Sequence, residues 1–467
     1  MKNICFTCLL GWMILLVACS KDLGNYDYSA SEMPVITNLD SVYPVQTGDR
    51  LKIAPEIAFH DTTLLSYEWR ITGNDIDEII YIGRELDMFF GLEARDYNLR
   101  LSIMDRSNEM KYFYYSIIRG QTDFSAGIML LTSNQGQAEL SFIRPNGDVQ
   151  ADLYGQMYDE PLPGTPRQIV AMRYEDLANK PYLGYWIICS DTRLGGVQLD
   201  VNTLKRVKYL NENFFNTMEE DIDAQYFFPV RTGVMNGIIN NKFYLGASST
   251  YYLSPIYGYF GLPTFGDYRL IPHLIVREAY YLGMDVDKSG LVYFDRGGNF
   301  FGDNYVVQGA AFDPKKVNLE VLTMLSVSDD VNYIFGKDPV NNQIYELKFS
   351  VKNDPKTITP IHKKNFAGQS LVNENTLWVL TNTEIIYFSS HDKVYRYNPL
   401  NGELRTLDKV FDGKRITLLK LKNAETLIVG TDGYLCFLNV STGKYGEVIR
   451  DNNKIVGEPI DLYEREY

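Results

Sequence analysis

The stretch Lys393-Val394-Tyr395-Arg396-Tyr397-Asn398-Pro399-Leu400-Asn401-Gly402-Glu403 decides the fold. It is a short apolar strand closed by a polar turn. The same plan returns in Gly433-Tyr434-Leu435-Cys436-Phe437-Leu438-Asn439-Val440-Ser441-Thr442-Gly443-Lys444. Earlier copies are Gly196-Val197-Gln198-Leu199-Asp200-Val201-Asn202-Thr203-Leu204, Phe142-Ile143-Arg144-Pro145-Asn146-Gly147 and Ala311-Phe312-Asp313-Pro314, with Gln343-Ile344-Tyr345-Glu346-Leu347 a weaker one. Apolar strands, Thr376-Leu377-Trp378-Val379-Leu380 and Thr426-Leu427-Ile428-Val429-Gly430, precede the late copies.

The turns fall near residues 146, 202, 313, 353, 401 and 442, with a double gap near 258. Filling the gap gives about seven units, and blade repeats of ~40–45 residues mean a propeller. Residues 124–467 are therefore expected to form a β-propeller of seven blades. A large sandwich, or two smaller β-domains, is the competing architecture. Helical patterns are scarce; only Arg173-Tyr174-Glu175-Asp176-Leu177-Ala178 reads as a short helical turn.

Residues 34–120 read as a separate small β-domain. Pro34-Val35-Ile36 opens it, and Leu51-Lys52-Ile53-Ala54-Pro55 follows a Thr47-Gly48-Asp49 turn. Tyr97-Asn98-Leu99-Arg100-Leu101-Ser102-Ile103 alternates with a period of two, so one of its faces is buried. About seven strands in so short a segment point to a sandwich. Trp69, on the strand Leu65-Ser66-Tyr67-Glu68-Trp69-Arg70-Ile71, is expected to anchor its core.

Ahead of both lies a leader. Lys2 gives a positive start, Ile4 to Ala18 is almost wholly apolar, and Leu16-Val17-Ala18-Cys19 places a cysteine after small residues. The run is short for a bilayer span, which takes ~20 residues, and has the anatomy of a secretory signal. It resembles a bacterial lipobox, which implies cleavage of residues 1–18 and a lipid on Cys19. Residues 19–33 are polar and aperiodic and read as a tether. Ser20 stands where an aspartate would signal inner-membrane retention, which favours the outer membrane, and Ser20-Lys21-Asp22 resembles a surface-export tag.

Composition narrows the class. The chain has 467 residues, 45% of them apolar, and a net charge of -14. Such a length predicts two or more domains, and an acidic surface argues against nucleic acid as a partner. Of five cysteines, Cys5 and Cys8 belong to the leader and Cys19 to the anchor. Cys189 and Cys436 sit in apolar runs and read as small buried hydrophobes; a disulfide between them is the alternative. The 35 tyrosines and 24 phenylalanines suit both strands and contact surfaces.

Lipobox, tether, a Tyr-x-Trp strand with Tyr97-x-Leu-x-Leu-x-Ile ahead of Asp105, and a propeller-like remainder together resemble the PKD-like family lipoproteins. The resemblance implies a PKD-type immunoglobulin-like domain at residues 34–120. It also implies a role beside Sus-like, TonB-dependent outer-membrane importers and their lipoproteins. Capture of an oligosaccharide or oligopeptide is the expected task, with a structural, protein-interaction role or a glycan- or peptide-cleaving enzyme as alternatives.

Catalytic groups are sparse. The four histidines, His60, His273, His362 and His391, are far apart, and no zinc helix, nucleophile elbow or phosphate loop occurs. No catalytic residue, cofactor or metal ligand is therefore assigned. Asp285-Val286-Asp287-Lys288-Ser289-Gly290 imitates the start of a calcium loop, but Arg296 stands where the closing acid belongs, and a β-turn feeding Leu291-Val292-Tyr293-Phe294 explains it as well.

The segment Ser248 to His273 is the candidate binding surface, with Tyr251, Tyr252, Tyr257, Tyr259, Phe260, Phe265 and Tyr268 as ligand-binding candidates. It falls in the double gap of the repeat, where a long loop is expected to carry function. The competing reading is that these rings fill the core between blades. Phe214-Phe215 with Tyr226-Phe227-Phe228, around Glu219-Glu220-Asp221, is a second candidate.

Overall fold

The computed structural model describes residues 32–73, 76–177, 180–217 and 221–466; Cys19 and most of the tether lie outside them. The described chain is all-β, with one α-helix, Leu153–Tyr158, and three short 3-10 turns. It divides into two compact units between Gly120 and Gln121.

The first unit has nine strands among its described residues. Five form one sheet in the order Val42–Gln46, Lys111–Gln121, Asp96–Asp105, Leu65–Thr72, Ile79–Ile82. Two pairs complete it: Val35–Thr37 with Glu56–Ala58, and Arg50–Ile53 with Leu86–Phe89. The alternation in 97–103 is realised. Tyr97, Leu99, Leu101 and Ile103 are at most 1% exposed, while Asn98 and Arg100 face away from the core. Trp69 is 1% exposed and donates its indole N–H to the Gly83 carbonyl at 3.0 Å, so the one polar atom of a buried ring is satisfied.

Among its described residues the second unit has seven sheets. Sheet I joins Gly127–Asn134, Gln137–Ile143 and Val149–Gln150 to the C-terminal strand Glu458–Arg465. Sheet II runs Pro166–Arg173, Tyr182–Cys189, Gly196–Leu199, Arg206–Tyr209, and sheet III runs Ala224–Pro229, Met235–Ile239, Lys242–Tyr244. Sheet IV holds Leu270–Val276, Tyr280–Asp285, Gly290–Asp295 and Phe300–Gly302. Sheet V holds Glu320–Ser328, Val331–Lys337, Ile344–Lys352 and Thr357–Asn365, with Val306–Val307 parallel at its edge. Sheet VI is Trp378–Leu380, Ile386–Ser390, Lys393–Asn398, Glu403–Val410. Sheet VII is Ile416–Asn423, Thr426–Thr431, Tyr434–Asn439, Glu447–Asn452.

Each sheet buries both faces. In Gly127–Asn134, Met129 and Leu131 pack with Ile169, Tyr185 and Ile187 of sheet II. Ile128 and Leu130 pack with Leu418, Ile428 and Leu435 of sheet VII. A strand covered on both sides reads as a continuous apolar run, which is why alternation is absent here. Similar clusters join II to III, III to IV, IV to V, V to VI and VI to VII. The first strands of sheets II to VII touch in succession, and Glu458–Arg465 touches those of both II and VII.

The polar turns of the repeat have a common cause. Asn398 Oδ1 accepts from the Leu400 amide at 3.0 Å and Asn401 Oδ1 from Glu403 at 2.9 Å, with Gly402 at φ 74°. Asn439 Oδ1 takes the Ser441 amide and hydroxyl, with Gly443 at φ 81°. Asp200 does the same for Asn202 and Thr203. A short Asx side chain folds the chain back on itself, and glycine supplies the left-handed residue.

Two expectations fail. Asp313-Pro314 lies in the connection from Val306–Val307 to Glu320–Ser328 and does not close a hairpin between adjacent strands. The turn of sheet IV is Arg296–Asn299, built by Asp295 accepting from the Asn299 amide at 2.9 Å; both are Asx turns, and local chemistry does not distinguish them. The described part of the helical turn expected at 173–178 is not helical either: Arg173 ends a strand and Tyr174 bridges to Thr232, and Ala178 lies outside the described residues. The helix is Leu153–Tyr158, capped by Asp152 accepting from the Gly155 amide at 3.2 Å.

Candidate functional site

Sheet III has three strands where its neighbours have four, and the chain from Leu245 to Arg269 leaves it as a long loop. The loop is held at its base by backbone. Phe260 N–H donates to Asn213 O at 2.8 Å, Phe215 N–H to Phe260 O at 3.0 Å, and Ala247 N–H to Tyr259 O at 2.9 Å. Asn213 Nδ2 donates to Gly258 O at 3.0 Å, and Gly246 N–H to Asn236 Oδ1 at 2.9 Å. These bonds pair the buried polar groups of Asn213 and Asn236 with the backbone of the loop.

This scaffold sorts the seven aromatic candidates instead of gathering them. Phe260 is 0% exposed, packed among Phe214, Phe227 and Tyr244, and Tyr268 is 2% exposed, its hydroxyl donating to Thr264 O at 2.8 Å. Both are core, and a ligand could not reach them without unfolding the loop. Tyr257 is half-buried, stacked on Tyr174 at 6.3 Å with its hydroxyl donating to Thr232 O at 2.6 Å, and burial pushes its phenol up to about 12. Tyr252 meets Tyr174 edge-on at 5.8 Å and Tyr251 at 5.0 Å. Tyr259 lies against Phe215 at 5.6 Å, with Lys208 Nζ 4.1 Å from its ring centroid. Phe265 stands clear at 97% exposure.

The exposed set is wider than the aromatic one. Tyr251, Leu253, Ile256, Leu262 and Phe265 are 62, 50, 41, 82 and 97% exposed. Three of these are aliphatic, and reading the loop for rings alone passes over them. In the second candidate cluster Phe214, Phe227 and Phe228 are buried and Phe215 is 51% exposed; Glu219 and Glu220 lie outside the described residues.

Lys208 is the distinctive charge near the loop. Burial pushes its ammonium down to about 8, from 10.5, with Glu212 opposing. Its Nζ faces Tyr259 and lies 6.0 Å from the Trp186 ring centroid, a cation held mainly by π-faces.

The calcium-like stretch is a turn. Asp285 is fully buried at its base and accepts from the Asp287 amide at 3.0 Å. Lys288 Nζ stands 3.7 Å from Asp285 Oδ2 and 3.6 Å from Asp267 Oδ2, while Asp287 pairs with Arg269 at 3.1 Å. An ammonium already fills the place a cation would take.

The most elaborate buried polar cluster lies between sheets V and VI. Glu346, fully buried, accepts from His362 Nε2 at 2.8 Å and Tyr397 hydroxyl at 2.6 Å, and pairs with Lys364 Nζ at 3.2 Å. Tyr333 donates to Glu384 at 2.9 Å, where Lys348 also pairs at 2.6 Å. Each carboxylate is shared among cations and hydroxyls of its own protein, which fits a tie between sheets.

The family described as PKD-like matches residues 19–166. The chain carries a PKD-like family domain. The match covers the first unit and runs on through the first three strands of sheet I and the helix. Beyond this family match, similarity is faint. No curated protein matches the chain. Among solved structures, a protein of unknown function from Bacteroides caccae is 7% identical, TM-score 0.32, over 72% of this chain and 98% of that one. A chain of a mitotic checkpoint complex is 8% identical, TM-score 0.31, over 67% and 83%. The extracellular domain of a one component system from B. thetaiotaomicron is 9% identical, TM-score 0.24, over 80% and 68%. At this overlap the likenesses carry no argument about function.

Proposed function

We propose that this is a surface-anchored lipoprotein, lipidated at Cys19, that serves as a binding accessory of a Sus-like, TonB-dependent nutrient importer in the outer membrane. In this reading the PKD-like domain follows the tether, and the seven sheets of the second unit are the blades of a propeller. Supporting the propeller are the apolar clusters between successive sheets, including VII with I, and the pairing of Glu458–Arg465 with Gly127–Asn134, which would fasten the ends of the ring.

The observation that carries the proposal is the loop of sheet III. Its base is tied into the core by Phe260 and Tyr268, yet five large apolar side chains between Tyr251 and Phe265 remain in water. Exposed apolar groups held on a rigid base are what a protein partner covers. The loop is therefore assigned to docking against an importer or a companion lipoprotein. Co-purification from mild detergent tests it. Leu262→Asp with Phe265→Asp should abolish recovery of the importer complex without lowering the melting temperature; undiminished recovery would sink the assignment.

A second reading, capture of an oligosaccharide or oligopeptide at the same loop, draws on the Tyr174, Tyr252 and Tyr257 ring cluster. Calorimetry with glycan and peptide panels against Tyr252→Ala separates the two.

A further inference from the structure

We infer that the outward face of the five-stranded sheet in the first unit is a binding site for a carboxylate-bearing sugar, Arg100 taking the carboxylate and Tyr115 the ring face. The strand register sets the site. Ile80, Arg70, Arg100 and Tyr115 lie directly opposite one another across four strands, and Thr72, Asn98 and Ile117 form the next row. Directly paired residues share a face, so both rows point away from Trp69 and the core. Between them is an open concavity of about 580 Å³ whose lining includes Arg70, Thr72, Glu78, Asn98, Arg100 and Tyr115.

The two arginines in it differ. Arg70 is fully engaged: Nε pairs with Glu68 Oε1 at 2.5 Å, and NH1 meets both Glu78 oxygens at 3.1 and 3.0 Å. Arg100 forms no ion pair among the described residues; its guanidinium stands 5.4 Å from the Phe113 ring centroid, and its Nε is buried without a hydrogen-bond partner. The buried Nε is closed to a ligand, but the terminal N–H groups of the same guanidinium are not buried in this way and have no hydrogen-bond acceptor among the described residues, so they are the ones a carboxylate would meet. The guanidinium fork matches a carboxylate in two parallel hydrogen bonds.

What surrounds that fork favours a sugar over a peptide. Tyr115 is 70% exposed and Phe113 47%, on a strand inside the sheet and not on a loop. An aromatic face fixed by a strand suits the C–H face of a pyranose ring, and Asn98 and Thr72 offer donors and acceptors to its hydroxyls. Arg100 and Tyr115 stand on Asp96–Asp105 and Lys111–Gln121, strands with a neighbour on each side, so at these two residues there is no edge strand for an extended peptide to pair with. This site is separate from the loop of sheet III and does not depend on the docking proposed there.

The test is calorimetric titration of the folded protein with trigalacturonic acid, its methyl ester, and a tripeptide with a free C-terminal carboxylate. The acid should bind and the ester should not. Arg100→Gln should weaken binding by about tenfold or more, the worth of a charge-assisted pair. Tyr115→Ala, a change on the surface that leaves the core untouched, should weaken it by several-fold while Tyr115→Phe restores it. Equal affinity for acid and ester, no binding of the acid, or indifference to Tyr115→Ala would overturn the inference, as would tripeptide binding as tight as that of the acid.

Discussion

Asp461 accepts a hydrogen bond from the backbone amide of Ile169 at 2.8 Å, although 292 residues separate the two in sequence. Its other carboxylate oxygen pairs with Lys420 Nζ at 2.7 Å. One side chain on the last strand of sheet I therefore reaches sheet II on one side and sheet VII on the other. The C-terminal strand contributes edge pairing to Gly127–Asn134 and also this polar clasp.

Removing the clasp should be felt by the whole second unit. Asp461→Ala leaves the Ile169 amide without its partner, a loss of about 1–3 kcal/mol for a buried donor. Asp461→Asn keeps an acceptor and should cost less. Urea unfolding of the two variants measures the difference, and equal stability of Ala and wild type would show that the clasp is idle.

Glu346 should matter more. Its removal strands His362, Lys364 and Tyr397 around a void in the wall between sheets V and VI. Glu346→Ala is expected to destabilise by about 3–5 kcal/mol, as breaking a buried charged cluster does. Tyr397→Phe removes one hydrogen bond and should cost about 1–2 kcal/mol. Denaturant midpoints of the two variants check the order, and a Tyr397→Phe effect as large as Glu346→Ala would contradict it.

Lys208 gives a pH dependence with a definite sign. Its folded value, about 8, lies below the ordinary 10.5, so between them the unfolded chain holds the extra proton. Stability contributed by this group therefore rises as pH climbs from about 8 to 10.5, and below about 8 it is flat because both states are charged. The difference in unfolding free energy between wild type and Lys208→Met, followed across that window, should carry this slope; a flat difference would place the ammonium in water.

Much of the architecture could be read before the structure. The turns at Asn401-Gly402 and Thr442-Gly443 are where Asx chemistry demands a reversal, and the 97–103 alternation marks a buried face because a strand has only two. Cys189 and Cys436 are free and buried, and burial pushes both thiols up to about 12. The candidate site was less legible. Phe260 and Phe265 look alike in sequence, yet one is enclosed by bridges to Phe214 and Gly246 and the other is in water. Burial there is decided by partners remote in the chain, which no local pattern records. Glu346 and His362 meet only through strand pairing between Ile344–Lys352 and Thr357–Asn365, and Arg100 differs from Arg70 only in which neighbours carry acids.

The central claim is that the loop of sheet III meets a protein partner at the membrane, and site-specific photo-crosslinking tests it most directly. A photoreactive residue at position 265, in cells that express the full chain, should give one discrete adduct with an outer-membrane importer or a companion lipoprotein. The same residue at Val340, 89% exposed on the hairpin of sheet V, should give none. Equal yields at the two positions, or no adduct at 265, would contradict the account.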